Sequence, residues 1–151
     1  MRARDVMSKS VLAVSPETGA PEAARLMRSR RIHHLLVKDG SRRAGIVSDR
    51  DLGARFWAKA TADRTVGDLM TRSVVTVDAN ATIRQIANLM RGRSIGCVVV
   101  TERGRTVGLI TVSDLLDLIG RGVERPVVAT RRASLHHRVA HRHQATAAGV
   151  W

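Results

Sequence analysis

The chain is predicted to be an α/β (α+β) protein: two copies of one β-α-β-β-α unit, packed about a pseudo-twofold axis as a single module. Three observations predict this. The stretches GIVSDRDL (45–52) and GLITVSDL (108–115) share one pattern, a glycine, two apolar residues, a hydroxyl residue, and an aspartate three positions later. The same 63-residue offset carries Met7 onto Met70, Met27 onto Met90, Gly45 onto Gly108 and Asp51 onto Asp114 without a gap. Repeats at a fixed period mark units that bury their apolar faces against one another, and 151 residues make one domain or two small units sharing a core.

The elements follow in matched order. VLAVS (11–15) and VVTVD (74–78) are short β-branched runs, hence strands. GAPEAARLMRSR (19–30) and ATIRQIANLMRGR (81–93) read as helices. In the second, Ile83, Ile86, Ala87 and Met90 fall at i, i+3, i+4 and i+7 and make one apolar face. HHLLVKD (33–39) and GCVVVTE (96–102) are strands, joined by polar, glycine-containing turns to the strands AGIVS (44–48) and VGLIT (107–111). DRDLGARFWAKA (49–60) and VSDLLDLIGRG (112–122) open as helices. TADRTVG (61–67) has few apolar groups and reads as the linker. The expected divisions are a first repeat over 1–62, a second over 63–122, and a basic Arg/His-rich tail over 123–151.

Composition bounds the function. Hydrophobic residues make up 44% of the chain, enough to fold. No apolar run reaches the roughly 18 residues of a membrane span. MRARDVMSKSVLAV lacks the apolar centre of a secretory signal, so the expected location is the cytoplasm. Cys97, the single cysteine, lies in an apolar run, and its expected role is a small buried hydrophobe. The net charge is +13. Through Ile119 there are 20 Lys/Arg against 12 Asp/Glu, and beyond it six Arg against Glu124 alone, so the last fifth is the most basic. Anionic partners are expected, but charge does not choose among nucleotide, nucleic acid and solubility.

The hydroxyl-x-x-aspartate units admit two readings. Ser48-x-x-Asp51 and Thr111-x-x-Asp114 have the spacing of capping boxes, hydroxyl at the N-cap and acid at N3. They also suit a nucleotide. An ionised carboxylate only accepts hydrogen bonds and can hold both hydroxyls of a ribose, while a helix N-terminus offers unpaired N–H groups to phosphate.

Four marks recur in one order: D-V-M-S-K-S-V and D-L-M-T-R-S-V before the first strand, L-M near the end of the first helix, R-I-H-H-L-L-V into the second strand, and G-[hydrophobic]₂-[ST]-x-x-D closing the third. In that order, over about residues 1–122, the chain resembles a tandem pair of cystathionine-β-synthase (CBS) domains, the regulatory Bateman module. The resemblance implies a non-catalytic sensor that binds an adenosine-containing ligand between the copies, AMP, ADP or ATP in kind, with S-adenosylmethionine or NAD in the same class. It implies a homodimer acting on an effector protein, with no required cofactor. No proline precedes Val37 or Val100, a departure from the commonest family pattern near the adenine.

The resemblance also implies two candidate sites, each with a ribose aspartate from one copy and strand mouths from the other. The preferred site joins Thr111, Ser113 and Asp114 to Ser10, Val11 and Leu12. Ile32, His33 and His34 complete it, the histidines standing where related pairs face phosphates. The bland alternative for the two histidines is one ring outside and one tucked inside. The second site joins Ser48, Arg50 and Asp51 to Ser73, Val74 and Val75, with Ile95, Gly96 and Cys97 in place of the histidines.

Other readings are weaker. In the tail, His137 and His141 stand at i, i+4 with His136 and His143 nearby, but no Cys or carboxylate completes a metal shell, and no metal is expected. The alternative function is a basic nucleic-acid-associated protein with the repeat pair as a dimerisation scaffold. One Phe, two Trp and no Tyr leave few stacking platforms for it. No G-x-S-x-G, P-loop or H-E-x-x-H is present, so catalysis is not expected.

Overall fold

The computed structural model describes residues 1–53 and 62–122. Of the expected helix 49–60, residues 49–53 form turns instead, with Gly53 in the left-handed region at φ 70°. The rest of it and the whole expected tail 123–151 lie outside the described residues, as do His136, His137, His141 and His143.

Two three-stranded sheets form, one per repeat. In the first, β1 (Ala13–Val14) runs parallel to β2 (His34–Asp39), which pairs antiparallel with β3 (Arg42–Ser48). In the second, β4 (Thr76–Asp78) is parallel to β5 (Cys97–Glu102), and β5 is antiparallel to β6 (Arg105–Thr111). The registers match at the repeat offset: Leu36 faces Ile46 as Val99 faces Leu109, and a bulge follows Val37 as it follows Val100. The first strands are shorter than the runs that predict them.

The crossover helices are α2 (Ala20–Arg30) and α4 (Ile83–Arg93). Pro21 sits in the first turn of α2, where its missing N–H costs nothing. Thr82 caps α4 through a reciprocal pair with Gln85. Both helices end on a residue in the left-handed region, Arg31 at φ 54° and Ser94 at φ 52°.

Strand phase builds three cores. Leu35 and Val37 point to α2 and pack with Ala23, Met27 and Val47. Val98 and Val100 point to α4 and pack with Ile86, Met90 and Ile110. Leu36 and Val99, one residue out of phase, turn to the opposite face and meet across the repeats with Cys97 and Leu109. Both central strands are thus buried on two faces, which is why they read as continuous apolar runs. Each fully buried Leu or Val stabilises by about 1.5–3 kcal/mol.

Two elements differ from expectation. Residues Ala3–Val6 form a short helix, α1, and Val66–Leu69 form its counterpart, α3. The expected linker therefore already contains ordered structure, with Val66 fully buried. Each short helix also belongs to the other repeat's core. Ala3 packs among Ala79, Ile83 and Ile86 of the second repeat, whereas Val66 packs among Ala20, Ala23 and Leu35 of the first. Backbone bonds fix the exchange: the Ala3 N–H donates to Ala81 O at 2.8 Å, and the Gly67 N–H to Pro16 O at 2.8 Å.

Candidate functional site

The two hydroxyl-x-x-aspartate units end β3 and β6. Asp51 Oδ2 accepts from the Ser48 N–H at 2.8 Å and from the Ser48 hydroxyl at 2.8 Å. Asp114 Oδ2 accepts from the Thr111 N–H at 2.7 Å and the Thr111 hydroxyl at 2.8 Å, and α5 (Val112–Gly120) starts there. Thr111 and Asp114 form a true helix cap, whereas Ser48 and Asp51 make the same bonds around a turn, and each unit uses only one carboxylate oxygen. The other, Oδ1, has no hydrogen-bond partner among the described residues. Capping and ligand binding are therefore compatible, because the cap holds the carboxylate still and leaves an acceptor over.

The strand mouths lie beside these units. His34 pairs with Ser48 across the sheet, as Cys97 pairs with Thr111. The Asp49 N–H donates to His33 O and the Val112 N–H to Gly96 O, each at 3.0 Å. Val11 and Val74 both pack on the apolar cluster between the sheets. Leu12 accepts from the Leu36 N–H, and Val75 from the Val99 N–H, each at 3.0 Å. Ile32 and Ile95 pack on the separate cores of their own repeats. Ser10, Ser73, Arg50, Ser113 and Gly96 are exposed.

The two histidines part company. His33 lies in the bend just before β2, on the α2 side with Met27 and Arg28, and its Nδ1 bonds Asp49 Oδ2 at 2.7 Å. His34 shares a face with Leu36, between the repeats. Burial holds the His34 imidazole below 6.5, against the upward pull of Asp49, Asp51 and, from the other repeat, Asp114. Its own repeat's carboxylates act on it more strongly than Asp114 does. Burial also pushes the Cys97 thiol up to about 12, with Asp114 adding to the shift, so Cys97 packs rather than reacts.

The His34 shift has a pH signature. With the folded value below 6.5, the unfolded chain takes up a proton first as pH falls. Its contribution is therefore fully present above the unfolded value and is lost as pH drops toward the folded one. His34→Gln is expected to flatten the acid side of a urea-midpoint-against-pH curve. An unchanged slope would remove His34 as its cause.

The CBS domain family model matches residues 3–54 and again 66–121. The chain belongs to the CBS domain family. It is a tandem CBS pair, a regulatory module. Hypoxic response protein 1 of Mycobacterium tuberculosis is 33% identical over 116 residues, spanning 75% of this chain and 81% of that protein. The CBS domain pair of protein MJ0100, solved in complex with 5′-methylthioadenosine and S-adenosyl-L-methionine, matches with a TM-score of 0.72 at 27% identity, covering 81% of this chain and 98% of that one. The CBS-domain containing protein ATU1752 from Agrobacterium tumefaciens matches with a TM-score of 0.71 at 28% identity, covering 79% and 99%.

Sequence reasoning named the aspartates, hydroxyls and histidines of the CBS pair but did not assign Asp49 a role. The signal was present: Asp49 follows Ser48 directly where the second repeat has Val112, so it is a charge found in one copy only. Among the described residues no group of three His, Cys, Asp or Glu is arranged to hold a metal ion, and no helix is long and apolar enough to cross a membrane.

Proposed function

We propose that this CBS pair, with repeats over 1–62 and 63–122, is a non-catalytic sensor that binds an AMP-, ADP- or ATP-type ligand between its repeats. The unused Oδ1 of Asp114, held at the N-terminus of a nine-residue helix, carries the reading. It would take the ribose hydroxyls, with Asp51 as its counterpart in the second site. His34, on the same inter-repeat face, would face phosphate, and a nearby anion would favour its protonated form. The Thr111 hydroxyl already donates its hydrogen bond to Asp114, and the Val112 and Asp114 N–H groups donate to Gly96 O and Thr111 Oγ1, so the exposed Ser113 hydroxyl is the better phosphate donor. The MJ0100 pair, with two adenosine-containing ligands, supports the ligand class.

Ligand binding would favour one relative arrangement of the repeats and so alter a surface that an effector reads. A homodimer is part of the proposal: Leu116 and Ile119 on α5 are 61% and 65% exposed, an apolar stripe suited to a second copy.

A thermal-shift panel of AMP, ADP, ATP, S-adenosylmethionine and NAD tests the reading. A ligand at about a hundred times its Kd adds about 2.7 kcal/mol of stability. Asp114→Asn keeps an acceptor for the cap and is expected to remove most of the shift, whereas Asp51→Asn leaves the larger part. No shift with any of the five would defeat the proposal, and loss in Asp51→Asn alone would reverse the order of the sites.

A further inference from the structure

A cleft of about 390 Å³ opens on the helix side of the first sheet, where the end of α2 meets the start of β2. Its floor is apolar, made by Ala24, Met27 and Ile32. Its rim carries Arg28, Arg31, His33 and Asp49. Asp49 is engaged by His33. The guanidiniums of Arg28 and Arg31 have no hydrogen-bond or ion-pair partner among the described residues. The His33 side chain is 74% exposed, so its bond to Asp49 serves no core. That bond fixes the ring by Nδ1 and leaves Nε2 to meet something else.

The second repeat is an internal control. Ala87, Met90, Arg91 and Ile95 stand where the first has Ala24, Met27, Arg28 and Ile32. Arg31, His33 and Asp49, however, become Ser94, Gly96 and Val112. Basic residues in the last turn of a helix compensate its dipole, and this accounts for Arg28 and Arg91 alike. It does not account for the three groups found in the first copy only. Nor does backbone need account for Arg31, because Ser94 adopts the same left-handed conformation.

We propose that this cleft binds a small phosphate monoester with an apolar body, the body resting on Met27 and Ile32 and the phosphate held by Arg28, Arg31 and His33 Nε2. Arginine suits phosphate because its planar fork can donate two parallel hydrogen bonds. The volume falls in the range of small-molecule pockets, which combine apolar walls with a few convergent polar groups. The cleft is separate from the nucleotide site, because its apolar floor of Ala24, Met27 and Ile32 belongs to the first repeat's own core, whereas the nucleotide site lies against the cluster between the repeats.

Phenyl phosphate is the probe. Added to the full chain, it is expected to shift the His33 ring-proton NMR signals in a saturable way, and calorimetry should give the same affinity. Arg31→Ser installs the second repeat's residue and is expected to weaken binding about tenfold or more, the loss of one charge-assisted contact. Arg91→Ser and Asp114→Asn should leave it unchanged, with folding of each variant checked by circular dichroism. No saturable response at about 10 mM probe, equal affinity in folded Arg31→Ser, or loss of binding in Asp114→Asn would each overturn the proposal. Because Asp114→Asn instead removes the adenine-ligand shift, the two sites fail or stand independently.

Discussion

Gly45→Ala is expected to destabilise the protein by about 1–3 kcal/mol through overpacking, whereas in an ordinary strand a glycine-to-alanine change is mildly stabilising. A methyl group at residue 45 would lie 2.7 Å from Met70 Sδ and 2.7 Å from the backbone Thr71 O. The methionine can swing away, but the carbonyl cannot. It accepts from the Ile46 N–H at 3.0 Å, and the Thr71 N–H returns a bond to Ile46 O at 2.8 Å. Making room means breaking that bridge or pushing the exchanged segment off the sheet. Gly108 has the mirrored contact, with Met7 side-chain atoms at 2.6–2.9 Å from its added methyl. There the three nearest atoms all belong to the Met7 side chain, so Met7→Ala should partly rescue Gly108→Ala, while Met70→Ala should not rescue Gly45→Ala. Urea unfolding of the four single and two double variants decides this. A Gly45→Ala cost under about 0.5 kcal/mol would show that the segment does not press on the sheet as described.

Removing residues 1–8 is expected to unfold the second repeat first, although the deletion lies at the start of the first. The segment supplies Ala3, fully buried in the second core, and Met7 beside it. It makes four backbone bonds there: Ala3 to Ala81, Arg4 to Ala79, and the mutual pair between Ser8 and Leu109 at 2.9 and 3.0 Å. At about 1 kcal/mol per bond, with the lost apolar burial added, the expected cost is about 4 kcal/mol or more. Native-state hydrogen exchange gives the readout. Protection should fall in β4–β6, at Leu109 above all, before β1–β3. Loss confined to the first repeat would mean that each repeat is closed on itself.

The parts of the module that were legible beforehand are those with local signals. α4 was visible because Ile83, Ile86 and Met90 recur at helical spacing and are buried together. The Thr111–Asp114 unit was visible because its chemistry spans three residues, and its bonds form within that span. The faces of β2 and β5 were not, because LLV and VVV carry no alternation from which to read a phase. For the same reason the opposite directions of His33 and His34 could not be assigned. The exchanged helices were missed because a four-residue helix has no apolar period. The one trace of α3, the Thr65-x-x-Asp68 spacing, has its carboxylate capping Thr65 N–H at 3.0 Å, but it sat inside a stretch poor in apolar residues.

By itself, then, the sequence determined the repeat, the kind and order of the main elements, and the two carboxylate-capped strand ends, all governed by neighbours a few residues apart. Only the tertiary structure decided which short segment completes which core, that His33 faces α2 while His34 lies between the repeats, and that the first repeat has a cleft rimmed by Arg28, Arg31 and His33. Those outcomes depend on burial between residues distant in the chain, such as Met7 against Gly108. A local pattern contains no information about which of two near-identical surfaces will cover it.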